Sequence, residues 1–299
     1  MADVVQKVIS GNDIQQGSAV SHVTQTGNIH NVVPNVTNAI SISEAETKWT
    51  SRFDDTEFYG TKVQPTIFSG CQVWLAADKI TGLVDGDVVT TWSDSSGQSN
   101  DFAQSTASKK PLYKTNIFKA KPAIKFDGTD DFLLSVPGAE VTDSTDYSVF
   151  AVFSYITEGD WMTPVSIGAG GNPMVRYFQL AGAPSPRNIR TECKNAGGVV
   201  VVNAVGGDVS LGATYIGSVV NNSAASLVQY LNGIADGEGV PCNLSAHTLT
   251  RFTLGSASQP TNYANCYLAE VIFYNRAVTD PERRRIEGYL GRKYGVVMP

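Results

Sequence analysis

Cleaving a glycosidic bond takes one protonated carboxyl and one carboxylate on either side of it. A strand turns alternate residues to one face, so acids spaced by one or two residues along a strand would mark such a site. Glu158-Gly-Asp160 begins this pattern, but Met162 and Thr163 follow where a third acid belongs. Glu270 stands alone in the apolar run Tyr267–Tyr274. There is no G-x-S-x-G elbow, P-loop, G-x-G-x-x-G or H-E-x-x-H. Of the three histidines, His22, His30 and His247, the first two lie in the charge-free N-terminal stretch described below, which leaves little for a Ser-His-Asp site. No catalytic residue is assigned, and a non-enzyme is expected.

Metal chemistry has two acidic hairpins to consider, one with Asp85 and Asp87 and a fuller one that is the candidate. Asp127, Asp130 and Asp131 fall in one Asp/Gly-rich hairpin and could offer oxygens to calcium, although the same residues are ordinary turn formers. Both readings stay open, and no other cofactor is expected. Cys71, Cys193, Cys242 and Cys266 are 122, 49 and 24 residues apart with no paired ligand spacing. They are expected to be small core residues with free thiols.

A sugar's apolar face stacks on an aromatic ring, so ring-bearing loops are the places to look for glycan binding. Trp161, Tyr177 and Tyr263 are in or near predicted loops and are the candidates, whereas Trp74 and Trp92 lie in predicted strands and belong to the core. Lys109, Lys110, Lys114, Lys119, Lys121 and Lys125 form an acid-free basic strip with Tyr113 and Phe118 inside it. The next 35 residues, 126–160, hold eight acids and no base, so compensation between neighbouring strands competes with ligand binding as its explanation. A net charge of −6 argues against nucleic acid as a partner. No run is long and apolar enough to predict membrane insertion.

The elements that would position these groups follow from patterning. Between Ile14 and Ser43 there is no Asp, Glu, Lys or Arg, and the segment is rich in Asn, Thr, Ser, Gln and Val. Such a stretch is not solvated like a charged disordered tail, and it is expected to be an extended arm that orders against a partner or sister subunit. Ser43-Glu-Ala-Glu46 predicts a capping box and a short helix. From about residue 68, short apolar or alternating runs are separated by turn residues: 71–76, 88–92, 123–126, 147–155, 199–205, 215–220, 227–231, 251–254 and 267–274. This predicts an antiparallel sandwich. A single convincing helix closes the chain, capped by Thr279 and Glu282 and ended by Gly295. Its basic face, Arg283, Arg284, Arg292 and Lys293, is expected in solvent.

Several of these motifs together resemble the LamG-like jelly-roll domains of the concanavalin A-like lectin/glucanase superfamily. They are Val73-Trp-Leu-Ala-Ala-Asp78, Trp92-Ser-Asp94-Ser-Ser-Gly97 with Asn100, and Pro122-Ala-Ile-Lys-Phe126-Asp-Gly128-Thr-Asp130-Asp-Phe132. Tyr230-Leu-Asn232-Gly233, Leu254-Gly255-Ser256 and Leu268 through Arg276 with the closing helix follow in the order of that family. The resemblance covers residues 71–297. It implies an all-β, antiparallel jelly-roll sandwich (concanavalin A-like) with one C-terminal helix, here preceded by an extended N-terminal arm and a short helix. It also makes Glu270 a framework position.

Such modules occur in bacterial surface proteins and in tailed-phage virion proteins. The beginning of the sequence shows no signal peptide, and together with the arm this makes the phage version the expectation. Residues 1–67 would then dock on other virion proteins or build an oligomer, a homotrimer by expectation, while residues 68–299 form the jelly roll. Two functions follow. One is a non-catalytic structural virion protein, a capsid decoration or a head or tail fibre, located in the virion. The alternative is a glycan-binding adhesin or lectin module for host cell-surface polysaccharide.

Overall fold

The computed structural model describes residues 20–23, 29–32 and 63–299, apart from 136–144, 169–171, 173, 182–186, 196, 243–250 and 259. It divides into two units, Met1–Val63 and Gln64–Pro299. In the first, β1 (Val20–Val23) and β2 (Ile29–Val32) pair antiparallel, so part of the charge-free segment pairs with itself. The short helix expected after Ser43 lies outside the described residues.

The second unit is a sandwich of two antiparallel sheets. Its strands in chain order are β3 (Cys71–Ala76), β4 (Thr91–Trp92), β5 (Phe102–Ala103), β6 (Leu112–Phe118), β7 (Lys121–Asp127), β8 (Leu133–Ser135), β9 (Tyr147–Tyr155), β10 (Val165–Gly168) and β11 (Met174–Ala181). They continue with β12 (Asn188–Lys194), β13 (Val200–Asp208), β14 (Tyr215–Asn221), β15 (Leu227–Leu231), β16 (Ile234–Gly239), β17 (Arg251–Leu254) and β18 (Asn265–Tyr274), before helix α1 (Asp280–Tyr294). The front sheet runs β13-β12-β11-β10-β17-β8-β5-β4. The back sheet runs β16-β15-β14-β9-β18-β7-β6, with β3 paired to the second half of β18.

Alternation explains the layers. Val165 and Ile167 of β10, Val175 and Tyr177 of β11, Ile189 and Cys193 of β12, and Phe252 and Leu254 of β17 turn inward onto Val149, Ala151, Phe153, Val271 and Phe273 of the back sheet. Thr191 follows the same parity, and its hydroxyl donates to Gln229 Oε1 of β15 across the core at 2.9 Å. Tyr147 stacks on Phe273 with ring centroids 6.2 Å apart, and Phe102 and Phe252 meet edge to face at 5.2 Å. Trp74 and Trp92 are buried, as their strand positions predict.

Helix α1 begins with the predicted capping box. Thr279 Oγ1 accepts from the Glu282 amide, and Thr279 N–H donates to Glu282 Oε2 at 2.8 Å. Gly295 closes the helix at φ +79°. The basic face departs from expectation. Arg283 is buried, bonded to Asp280 and Glu287, with its guanidinium 3.9 Å over the Tyr230 ring. Lys293 reaches Asp78 at 2.7 Å and Glu270 at 2.8 Å. The helix packs on β9 and β14; Arg283 neutralises acids of the helix itself, Lys293 acids beneath it, and Arg284 and Arg292 are the exposed members.

The cysteines also differ from expectation. Cys193 of β12 forms a disulfide with Cys242, just beyond β16, and ties the front sheet to the chain leaving the back sheet. The ligand-style spacing rules do not apply to a pair joined by tertiary contact, which is why 49 intervening residues gave no signal. Cys71 and Cys266 remain free and buried, and burial pushes the Cys71 thiol up to about 12.

Candidate functional site

The outward side of the front sheet is assembled by cross-strand register. Since Val165, Ile167, Val175 and Leu254 face the core, their neighbours face away. Glu192 of β12 lies opposite Arg176 of β11, Arg176 opposite Ser166 of β10, and Ser166 opposite Thr253 of β17. One row therefore crosses four strands on one face. Arg190 and Gln179 face each other in a second row, and Lys194, Met174, Gly168 and Arg251 form a third.

This face is polar and largely withdrawn from solvent. Arg176 is 7% exposed and Gln179 0%. Arg176 bonds Glu192 at 3.3 Å, and Lys194 reaches the same carboxylate at 3.4 Å. Burial pulls the Arg176 pKa below the usual guanidinium value, opposed by the Glu192 charge. Arg176 Nε, Gln179 Oε1, Arg190 Nε and Thr253 Oγ1 have no hydrogen-bond partner among the described residues. Buried polar atoms are nearly always satisfied, so four on one face mark a place where a polar partner fits.

Trp161 stands at the rim. Its side chain is 38% exposed and its backbone is left-handed at φ +63°, a conformation that costs energy for a bulky residue. The Trp161 carbonyl accepts from Gln179 Nε2 at 3.2 Å and from Thr163 Oγ1 at 3.1 Å. The Arg190 guanidinium lies 4.8 Å from the ring centroid. The tryptophan is thus fixed from below by the buried face it borders. Loop 255–258 covers the opposite flank. Ser166 Oγ donates to Ser256 O at 2.9 Å, and a Cβ at Gly168 would meet Ser258 Oγ at 2.2 Å. Only glycine leaves room there.

The other sequence candidates divide. Tyr177 is a correction: it is fully buried in β11, its ring edge-on to Tyr147 at 6.1 Å, and it offers nothing to a glycan. The run Met174–Ala181 is a strand with both faces covered, so it lacks the polar alternation that marks a half-buried one. Tyr263 is half-buried beside the acidic turn, and partial burial and then the Asp130 charge hold its hydroxyl above the ordinary value. Thr163 N–H donates to Asn262 O at 3.0 Å, so the Trp161 and Tyr263 loops adjoin.

Asp127, Asp130 and Asp131 do converge, with ligand atoms within 4.8 Å of one another. Much of that convergence is turn construction. Asp127 Oδ1 accepts from the amides of Thr129, Asp130 and Asp131, and Asp131 Oδ2 accepts from Asp127 N–H. The uncommitted oxygens fall short of the six to eight that calcium takes, so any ion here would need further carbonyls or water.

Two of the acids named from the sequence, Glu158 and Glu270, have other tasks. Glu158 pairs with Arg187. Glu270 accepts from Trp74 Nε1 at 2.6 Å, Tyr289 Oη at 2.9 Å, Tyr294 Oη at 2.8 Å and Lys293, a framework anchor between β3, β18 and α1. The lysine strip is compensated in part, by Asp85 and Asp78 upstream and, through Lys125, by Asp131 in the acidic stretch that follows. Lys114 reaches Asp85 at 2.5 Å and Lys121 reaches Asp78 at 3.6 Å, while Lys119 caps the Arg292 carbonyl of α1. Tyr113 and Phe118 are buried.

No family model matches the chain, and no curated protein does. Solved structures do. The receptor binding domain of botulinum neurotoxin D has a TM-score of 0.52 at 10% identity, covering 77% of this chain and 54% of that one. The fold is a β-sandwich shared with binding domains. The ligand binding domain of botulinum neurotoxin serotype D in complex with N-acetylneuraminic acid has a TM-score of 0.51 at 10% identity, over 75% and 51%. The binding domain of Paraclostridial Mosquitocidal Protein 1 has a TM-score of 0.49 at 11% identity, over 75% and 52%. The chain spans about half the length of these structures.

Proposed function

We propose that this chain is a non-catalytic carbohydrate-binding module whose site is the exposed rim of the front sheet at Trp161, with Tyr263 on the adjoining loop. The observation that carries the proposal is Trp161 itself: an exposed indole, held in a left-handed backbone by Gln179, at the edge of buried polar atoms that lack partners. A sugar needs a ring to stack on and polar groups for its hydroxyls, and half-exposed Arg190 lies beside that ring. The fold neighbours described as receptor or ligand binding domains, one of them in complex with N-acetylneuraminic acid, favour the same reading. The disulfide fits work outside a reducing cytoplasm, as at a cell or virion surface.

The test is binding of the full chain to a glycan panel and to intact bacterial cells, with calcium and with chelator. Saturable binding that falls at least tenfold in Trp161→Ala, at unchanged melting temperature, is the expected result. No binding to any glycan, or binding indifferent to Trp161, would sink it. The calcium arm asks whether Asp127, Asp130 and Asp131 take part.

A second reading rests on the charge-free segment from Ile14 to Ser43. In it the chain is a structural virion protein, a capsid decoration or fibre that docks through residues 1–67, assembles as a trimer and displays residues 68–299 outward. Sedimentation of the full chain alone and with phage shells decides it. Trimers, and shell attachment that persists in Trp161→Ala, favour this role. A monomer that ignores shells removes it. A fibre that also adheres would satisfy both readings.

A further inference from the structure

The outer face of the front sheet carries Arg176, Arg190, Lys194 and Arg251 against Glu192 and Asp208, four cations to two carboxylates, in a chain whose net charge is −6. Glu192 is shared by Arg176 and Lys194. Arg190 has no carboxylate partner among the described residues. It lies over the Trp161 ring, and its Nε is without a partner among the described residues, as is that of Arg176. Arg190 and Arg176 project from adjacent strands on one face, and Arg190 is two residues, about 7 Å, from the Glu192 that faces Arg176. Leaving guanidinium donors unmatched beside a fixed indole is costly for a folded chain alone. The arrangement suits a ligand that brings negative oxygens to the same place as a stacking surface, since a planar guanidinium fork matches a carboxylate.

We propose that this site selects saccharides bearing a carboxylate, with the sugar ring against Trp161 and the carboxylate on half-exposed Arg190 beside it. The inference deepens the carbohydrate-binding reading and rests on it. The lysine strip is a poorer anion site, because Asp85, Asp78 and a helix carbonyl already engage Lys114, Lys121 and Lys119.

The experiment titrates the full chain with matched oligosaccharides that differ at C6, hydroxymethyl against carboxylate: galactan against galacturonan fragments, and cello-oligosaccharides against their C6-carboxylated forms. At least tenfold tighter binding of the carboxylated member is expected, weakening steeply with salt. In Arg190→Gln the preference falls severalfold or more while the neutral member binds as before. Arg176 is buried against Glu192, so half-exposed Arg190 is the deciding position. Lys110→Gln should leave the preference intact. Equal affinity within the pairs would overturn the selectivity and leave the carbohydrate-binding reading standing. A carboxylate preference that ignores Arg190 and Trp161 would overturn the site. Absence of binding to every member, charged or neutral, would remove the reading beneath it as well.

Discussion

Arg190 lays its guanidinium over the Trp161 ring, 4.8 Å from the centroid, while its strand partner Gln179 holds the Trp161 carbonyl at 3.2 Å. Two residues opposite each other on neighbouring strands thus fix one exposed indole, one by its ring and the other by its backbone. Such a side chain is ordered before a ligand arrives, and less conformational entropy is lost on binding.

Removing Gln179 should loosen that arrangement. Gln179→Ala deletes the donors to Trp161 O and Thr163 Oγ1. Denaturant unfolding is expected to show a loss of about 1–3 kcal/mol, the range for removing buried hydrogen bonds. Glycan affinity is expected to fall at least fivefold in the same variant, even well below its melting temperature. Full affinity with lost stability would mean that the Trp161 turn is held by something else.

The Cys193–Cys242 bridge makes a prediction that needs no ligand. Thiol titration of the denatured, unreduced chain should find two thiols, Cys71 and Cys266. Loop-closure entropy for a separation of this length amounts to about 4 kcal/mol of stabilisation, so reduction, or Cys193→Ser with Cys242→Ser, should lower the unfolding midpoint strongly. Four titratable thiols would refute the bridge.

Glu270 separates scaffold from site. It accepts from Trp74, Tyr289, Tyr294 and Lys293 on the back sheet, away from the outer face of the front sheet. Glu270→Leu strands those donors and should cost about 3–5 kcal/mol, whereas Glu270→Gln keeps most of the geometry and should cost less. Neither should change glycan affinity under folding conditions. A large affinity change in folded Glu270→Gln would place the acid in function.

Asp131 gives a pH signature. Burial, then the charges of Asp127 and Asp130, raises its carboxyl to about 6. Since the folded value lies above the ordinary one, the folded form takes up the proton first on acidification. Its contribution favours folding as pH falls from 7 towards 4 and is lost as pH rises through 6. Asp131→Asn should remove that component from a melting-temperature profile across this range. If calcium joins the trio, it should compete with this proton and flatten the profile in the wild type alone.

Much of the scaffold was readable from residue patterns, and the reasons are local. Tyr147–Tyr155, Leu227–Leu231 and Arg251–Leu254 announce themselves by apolar character between turn residues, and Thr279-Asp-Pro-Glu282 carries its own cap. Leu254-Gly255-Ser256 was legible as a motif for a structural reason now visible: Gly255 sits at φ +81°, and a Cβ there would strike the Phe126 ring. The site was less legible. Trp161 was found as a loop aromatic, but Arg176, Gln179, Arg190 and Glu192 were not, because their common face exists only through the registers of β10, β11 and β12. Asn188–Lys194 alternates polar and apolar residues, and that signal could have marked β12. For Tyr177 and the disulfide, the deciding contacts are tertiary, with no trace in spacing.

The central claim is that Trp161 and the rim residues beside it form a carbohydrate site. The most direct test is calorimetric titration of the full chain and of Trp161→Ala with the best ligand from a glycan panel, at matched folded fraction. The account predicts a saturable, one-site isotherm for the wild type and at least a tenfold loss in the variant. Identical isotherms, or no heat from any panel ligand, would contradict it.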